Sequence, residues 1–71
     1  MTSFKPREVV KILLKLGFIE NRQSGSHLIL FNPKSKRSIA VPMHTKDVKP
    51  GLLNNFIKKA SSSEKEFLKL K

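Results

Sequence analysis

The sequence has no cysteine and little negative charge, and each shortage excludes a class of protein. Without cysteine, neither a disulfide framework nor a cysteine-based zinc site can stabilise the domain, so its stability must come from packing. Only five side chains are acidic, and they are scattered without a close pair: Glu8, Glu20, Asp47, Glu64 and Glu66. Glycosidase-type and two-metal reactions need neighbouring carboxylates, so metal-free chemistry is the better hypothesis.

Long apolar runs are also missing. Residues 1–8 contain no apolar core of a signal peptide, and the run Leu28–Phe31 is far too short to span a bilayer. We therefore expect a cytoplasmic protein. The 71 residues are expected to form a single domain, 1–71, that needs nearly every buried side chain for its core. A partner should therefore bind across the surface and not in a deep pocket.

What the sequence has in excess is positive charge. Fifteen Lys and Arg residues against five acidic residues give a formal net charge of +10. The basic side chains are spread through the chain, so the folded surface itself must be positive, and the excess is larger than solubility requires. A polyanion is the expected partner.

The first regular element is an amphipathic helix. Its apolar residues follow the spacing i, i+3, i+4, i+7 that forms one helix face: Val9, Ile12, Leu13 and Leu16. Proline is favoured at the first helical position and glycine just after the last, as Pro6 and Gly17 would be here. The pattern predicts a helix over Pro6–Leu16.

Three short strands are predicted next. The first covers about 18–23, the second centres on Leu28–Phe31, and the third covers Ile39–Val41 and ends at Pro42. Residues 24–26 and 32–36 have the composition of turns. Three consecutive strands joined by turns imply an antiparallel meander.

A second helix is predicted to begin near Pro50, because apolar residues return to helical spacing: Leu52, Leu53, Phe56, Ile57 and Ala60. Ser63 and Glu66 have the spacing of a capping box for a short C-terminal helix. The predicted fold class is α+β, a two-layer sandwich with the order α-β-β-β-α and a short C-terminal helix, in which both main helices cover one sheet face. The double-stranded-RNA-binding fold has this element order, and the open sheet face would be a platform for a nucleic-acid backbone.

Two histidines are the main candidates for chemistry. His27 follows Gly25-Ser26 at the start of the second strand, where a turn can expose an imidazole beside Arg22. Imidazole exchanges protons near neutral pH, so it can take the proton of an RNA 2′-hydroxyl or protonate a leaving oxygen without a cofactor. From spacing alone, His27 is also explained as an ordinary solvent-facing strand residue. His44 is explained by hydrogen bonds between its ring and the loop after the third strand.

The remaining site predictions concern RNA binding. Arg22, Lys36 and Arg37 are assigned to phosphate groups because of their proximity to His27, and they would also stabilise the charge that develops during cleavage. Ser26 and His44 are predicted to contact the RNA as well. No cofactor and no metal site is predicted.

Taken in order, these segments resemble one known family. The pattern GF…GSH…P-x-H…PG-T/L-L of the HicA messenger-RNA interferase toxins is matched by four segments: Gly17-Phe18, Gly25-Ser26-His27, Val41-Pro42-Met43-His44 and Lys49-Pro50-Gly51-Leu52-Leu53. The resemblance covers nearly the whole chain. It departs from the commonest pattern at Leu52, where many members have Thr or Ser, while the segment around His27 is intact.

The resemblance implies a double-stranded-RNA-binding-like fold, ribosome-independent cleavage of messenger RNA and one essential histidine, which matches His27. It also implies neutralisation by a HicB-type antitoxin, whose partly degraded RNase-H-like domain covers the active face of the toxin. The second histidine of the family matches His44 and has no agreed catalytic role.

Two other functions stay open from the sequence. A non-catalytic RNA- or DNA-binding module would use the same basic surface and show the same salt-sensitive binding, so only His27 separates it from an endoribonuclease. A basic subunit that only docks an acidic partner would use its charge for association and would be inactive as a free chain.

Overall fold

Residues 3–71 are described by a computed structural model of the chain. In chain order its elements are α1 (Pro6–Lys15), β1 (Ile19–Ser24), β2 (His27–Asn32), β3 (Arg37–Pro42), α2 (Pro50–Lys59) and α3 (Glu64–Leu70). This order confirms the predicted α+β class with its short C-terminal helix. No helix formed by residues 3–71 has the length and apolar character needed to cross a membrane.

The start of α1 is fixed by Pro6 and Glu8. Pro6 is the first helical residue, and the Glu8 carboxylate accepts a hydrogen bond from the backbone N–H of Lys5 at 2.9 Å. This hydrogen bond, together with the Lys71 ammonium 3.6 Å away, lowers the pKa of Glu8 below its ordinary value of 4.5, although desolvation opposes the shift. The folded chain therefore favours the charged form of this carboxyl group.

The end of α1 is fixed by Gly17. The helix ends at Lys15, one residue before the predicted end, and Gly17 has a φ of +100°. The N–H of Gly17 donates to the carbonyl of Leu14 at 3.2 Å, and the N–H of Phe18 donates to that of Leu13 at 3.0 Å. These two bonds form a Schellman motif, in which glycine supplies the left-handed conformation.

The three strands form one antiparallel sheet in the order β1-β2-β3, which confirms the predicted meander. In the central strand, Leu30 lies opposite Glu20 of β1 and Ile39 of β3. The register between β1 and β2 shifts between Glu20 and Arg22, so β1 has a bulge at Asn21.

The two faces of the sheet have different surroundings. Leu30, Ile39 and Val41 are buried, and Leu28 packs against the same core. Both α1 and α2 contact β3, and α3 packs against both of these helices. Since side chains alternate along a strand, His27, Ile29 and Phe31 of β2 belong to the opposite face, which carries no helix of the described chain.

The core also includes residues outside the sheet and the two long helices. Phe4 and Phe67 are fully buried and meet edge to face, with ring centroids 6.2 Å apart. An isolated bridge joins Phe4 to Val48, which precedes α2. The sequence analysis did not assign Phe4 to the core, because it stands outside any periodic segment.

Half of the capping box predicted for α3 is formed. The hydroxyl of Ser63, the residue before the helix, accepts a hydrogen bond from the N–H of Glu66 at 3.1 Å. The Glu66 carboxylate accepts from the hydroxyl of Ser62, not from the backbone N–H that a full capping box uses. One cap hydrogen bond is therefore enough to start this short helix.

Candidate active site

His27 directly follows a two-residue hairpin turn. Ser24 and His27 are the closing pair of β1 and β2, and Gly25 and Ser26 form the turn between them. Gly25 has a φ of +60°, which glycine adopts at no steric cost, whereas Ser26 does not have a positive φ. A positive φ at only the first central residue is the geometry of a type II′ turn, whose twist matches that of antiparallel strands. The turn therefore fixes His27 at one end of the sheet.

The imidazole of His27 is exposed on the face without helices. Its neighbour Leu28 packs against the core, so the alternation of the strand directs His27 away from it. Among residues 3–71, the His27 ring takes part in no hydrogen bond. Both ring nitrogens are therefore free to bind a ligand.

The structure brings His44 to the same place. The ring centroids of His27 and His44 are 6.2 Å apart, and the ring planes meet at 60°. His44 is exposed and, within the described residues, its ring also makes no hydrogen bond. Hydrogen bonds to its own loop therefore do not explain its position. The two residues form an exposed pair, the histidine pair.

Backbone pairing holds the histidine pair together. His27 lies opposite Pro42, the last residue of β3. The N–H of Met43 then donates to the carbonyl of Ser26 at 2.7 Å. This hydrogen bond joins the residue before His44 to the residue before His27, so the ladder of the sheet continues past the end of β3.

A second hydrogen bond closes the bend that carries His44. The hydroxyl of Thr45, which is half-buried, donates to the carbonyl of Pro42 at 3.3 Å. The residues on both sides of His44 are thus hydrogen bonded, Met43 to the neighbouring turn and Thr45 within its own loop. The separation of the rings is determined by the backbone and not by a contact of the rings alone.

Arg22 lies close to the histidine pair. It is opposite Ile29, two residues along β2 from His27, so it occupies a diagonal position about 7–8 Å from His27 on the same face. A long guanidinium side chain at that distance can reach a phosphate held at the imidazole. Ser24, directly opposite His27, belongs to this face as well.

Lys36 and Arg37 lie at the other end of the sheet. Arg37 is opposite Asn32, five residues along β2 from His27, which is about 17 Å at the usual rise of a strand. Strand alternation also places Arg37 in register with Ile39 on the helix-covered side. Proximity in sequence was therefore misleading: these two cations can bind a distant phosphate but cannot stabilise charge at His27.

The histidine pair is a surface site. A groove of about 380 Å³ is lined by other residues, among them Asp47, Pro50, Asn54 and Glu64. No group of three or more potential metal-ligating His, Cys, Asp or Glu side chains occurs among residues 3–71. The arrangement offers two imidazoles and one neighbouring guanidinium on an open face, which suits proton transfer at a phosphate.

Sequence reasoning missed the contact between the two histidines. The missing information was the register of β2 and β3, because the four-residue turn at 33–36 sets His27 opposite Pro42. Given that turn length, a histidine two residues after Pro42 must lie near His27. Ser24 was missed for a similar reason, since its place opposite His27 depends on the two-residue turn.

A known protein family matches most of the chain. The model of a family described as HicA toxin of bacterial toxin–antitoxin matches residues 6–61, which run from the first residue of α1 past the end of α2. The matched segment contains His27, His44 and Arg22. No curated protein matches the chain.

Proposed function

The chain belongs to the HicA toxin family of bacterial toxin–antitoxin systems, and from this premise we propose that it is an endoribonuclease that cleaves messenger RNA. His27 is its catalytic residue, and the reaction needs neither the ribosome nor a metal ion. The observation that carries the proposal is the exposed His27 imidazole, free of hydrogen bonds within residues 3–71 and diagonal to Arg22.

The proposed chemistry follows from these groups. An imidazole can take the proton of the 2′-hydroxyl or give a proton to the leaving oxygen near neutral pH. The guanidinium of Arg22 would donate hydrogen bonds to the phosphate oxygens, where negative charge increases during the reaction. Both groups lie on the open face, so an RNA strand can approach without any movement of the helices.

RNA binding would extend beyond the histidine pair. The net charge of +10 supports salt-sensitive binding of a phosphate backbone. Ser26 and His44 flank His27 and would contact the nucleotide that is cleaved. Lys36 and Arg37 would hold a phosphate at the far end of β2, about 17 Å along the strand.

The protein partner would be a HicB-type antitoxin that competes with RNA. An interface of ordinary size takes about 800 Å² from each partner. The whole chain exposes 4804 Å², so such an interface takes about a sixth of it; it would cover His27 and Arg22 on the open face and extend around the far end of the sheet to Lys36 and Arg37. A surface this limited has little room for RNA and antitoxin at once, so inhibition would be both steric and electrostatic.

A growth assay tests the proposal. Cells that express the wild-type chain without antitoxin should stop growing, and cells that express His27→Ala at the same level should grow normally. Lys59→Ala, an exposed change on α2, is the matched control and should remain toxic. If His27→Ala arrests growth as the wild type does, toxicity comes from binding alone and the catalytic proposal fails.

A further inference from the structure

Catalysis by His27 alone does not explain why the His44 ring lies next to the His27 ring. In a phosphoryl transfer, the attacking and leaving oxygens lie roughly in line on opposite sides of the phosphorus. The proton of the attacking hydroxyl and the proton of the leaving oxygen are therefore handled at two separate places. One ring cannot reach both places at the same moment.

The measured geometry suits two rings acting on one phosphate. The centroids of His27 and His44 are 6.2 Å apart. Hydrogen bonds between ring nitrogens and oxygen atoms span about 2.7–3.2 Å, so a phosphate bound beside the two rings, on the open face, could be bonded to both. Neither ring makes a hydrogen bond within residues 3–71, and both are exposed at the same end of the sheet.

The backbone on both sides of His44 is held by hydrogen bonds, so the position of the His44 ring is defined. Met43 is tied to the turn before His27 by a hydrogen bond of 2.7 Å, and Thr45 closes the bend by a bond of 3.3 Å. A ring on a loose loop would approach a phosphate only part of the time. These two hydrogen bonds hold His44 beside His27. Holding a reacting group in place lowers the entropic part of the activation barrier.

We propose that His44 is a second catalytic residue and that it forms an acid–base pair with His27. This inference rests on the proposed function and deepens it. One imidazole takes the 2′-hydroxyl proton as the 2′-oxygen bonds to phosphorus. The bond from phosphorus to the 5′-oxygen breaks, and the other imidazole, protonated at the start, gives its proton to that oxygen. The products are a 2′,3′-cyclic phosphate and a free 5′-hydroxyl, and exchange with water restores the two rings.

A sulfur substitution in the substrate tests the pair. An RNA oligonucleotide with sulfur in place of the bridging 5′-oxygen has a thiolate leaving group, which needs no proton because thiols are much more acidic than alcohols. We compare the wild type, His27→Ala and His44→Ala on the oxygen and sulfur substrates at saturating protein. Both variants should lose about 10²–10⁴-fold on the oxygen substrate. The variant that lacks the acid should recover most of its rate with sulfur, and the variant that lacks the base should not.

A control separates this role from a structural one. Thr45→Val removes the hydroxyl that closes the bend but leaves both rings, so it should slow cleavage less than His44→Ala does, with the same dependence on the leaving atom. Recovery by sulfur in one histidine variant alone supports the pair. Recovery in neither or in both, or wild-type cleavage of the oxygen substrate by His44→Ala, overturns it while the single-histidine reaction stands. If the wild-type chain cleaves neither substrate, the proposed function itself has failed.

Discussion

The two ends of the sheet are built differently. At one end, a two-residue turn with glycine at φ +60° precedes His27, and the rings of the histidine pair lie 6.2 Å apart. At the other end, a four-residue turn carries Lys36 at φ +65°, and the side chain of Asn32 accepts hydrogen bonds from two backbone N–H groups of that turn. Groups that transfer protons are thus separated from Lys36 and Arg37 by nearly the length of a strand. Under the proposed function, chemistry belongs to the first end and the second end contributes only binding.

The largest expected effect is on the rate of RNA cleavage, which a substitution at the first end of the sheet should lower and one at the second end should not. His27→Ala should lower the cleavage rate at saturating protein by about 10²–10⁴-fold, because proton transfer is lost, and should leave RNA affinity nearly unchanged. Arg37→Ala should weaken RNA binding without changing the rate at saturation. Single-turnover kinetics over a range of protein concentrations measures both quantities. An Arg37→Ala variant that is as slow as His27→Ala at saturation would contradict the division.

The next effect concerns the antitoxin. Arg37→Glu should weaken binding of both RNA and a HicB-type antitoxin, on the order of tenfold each, because both partners would use the same positive surface. His27→Ala should keep antitoxin affinity close to that of the wild type, since one exposed ring adds little to a wide charged interface. Titration of each variant with antitoxin and with labelled RNA provides the comparison. Formation of a ternary complex of toxin, antitoxin and RNA would rule out competition.

The two turns should also respond in opposite directions to a change at the positive-φ position. A Cβ at Gly25 would meet no atom within 4 Å, so Gly25→Ala should cost only backbone strain, about 1–2 kcal/mol. Lys36→Gly removes such strain but gives the unfolded chain more freedom, so it should stabilise by less than about 1 kcal/mol. Urea unfolding measures both, with Gly25→Asn as a control because asparagine tolerates this conformation. Equal destabilisation by Gly25→Ala and Lys36→Gly would contradict the prediction that the two substitutions change the free energy of unfolding in opposite directions.

The smallest expected effect is on stability and comes from Glu8 of α1, which lies at neither end of the sheet. The pKa of Glu8 is lowered in the folded chain, so its carboxylate stabilises the fold above the ordinary value of 4.5, and this contribution is lost as pH falls through the lowered pKa. Glu8→Gln should therefore unfold at a slightly lower urea concentration than the wild type at pH 7, and the difference should shrink at pH 3. RNA affinity and cleavage at pH 7 should not change. A larger difference in urea midpoint between Glu8→Gln and the wild type at pH 3 than at pH 7 would contradict this prediction.

Most of the fold could be predicted because local signals agree with the tertiary structure. Pro6 and Gly17 mark the ends of α1 to within one residue, and Pro50 is the first residue of α2. The order of helices and strands follows from apolar periodicity together with turn composition and the capping spacing of Ser63 and Glu66. Phe4 could not be predicted as core, because its burial depends on packing against Phe67, more than sixty residues along the chain.

The site was only partly predictable, and the reason is register. His27 could be singled out from its turn, but its neighbours depend on which residues of the other strands lie opposite it. Arg22 stays close because a two-residue turn joins β1 and β2, whereas Arg37 is carried to the far end of β2. His44 comes close through the hydrogen bond between Met43 and Ser26, which no local pattern predicts.

The central claim is that the exposed His27 cleaves RNA without a metal ion. Its most direct test is to incubate the purified chain, free of antitoxin, with single-stranded RNA in the presence of excess EDTA, with His27→Ala treated in parallel. The account predicts cleavage by the wild type that chelation does not reduce, and cleavage by His27→Ala that is slower by about 10²–10⁴-fold. Absence of wild-type cleavage, cleavage only after a metal ion is restored, or equal cleavage by the variant would contradict it.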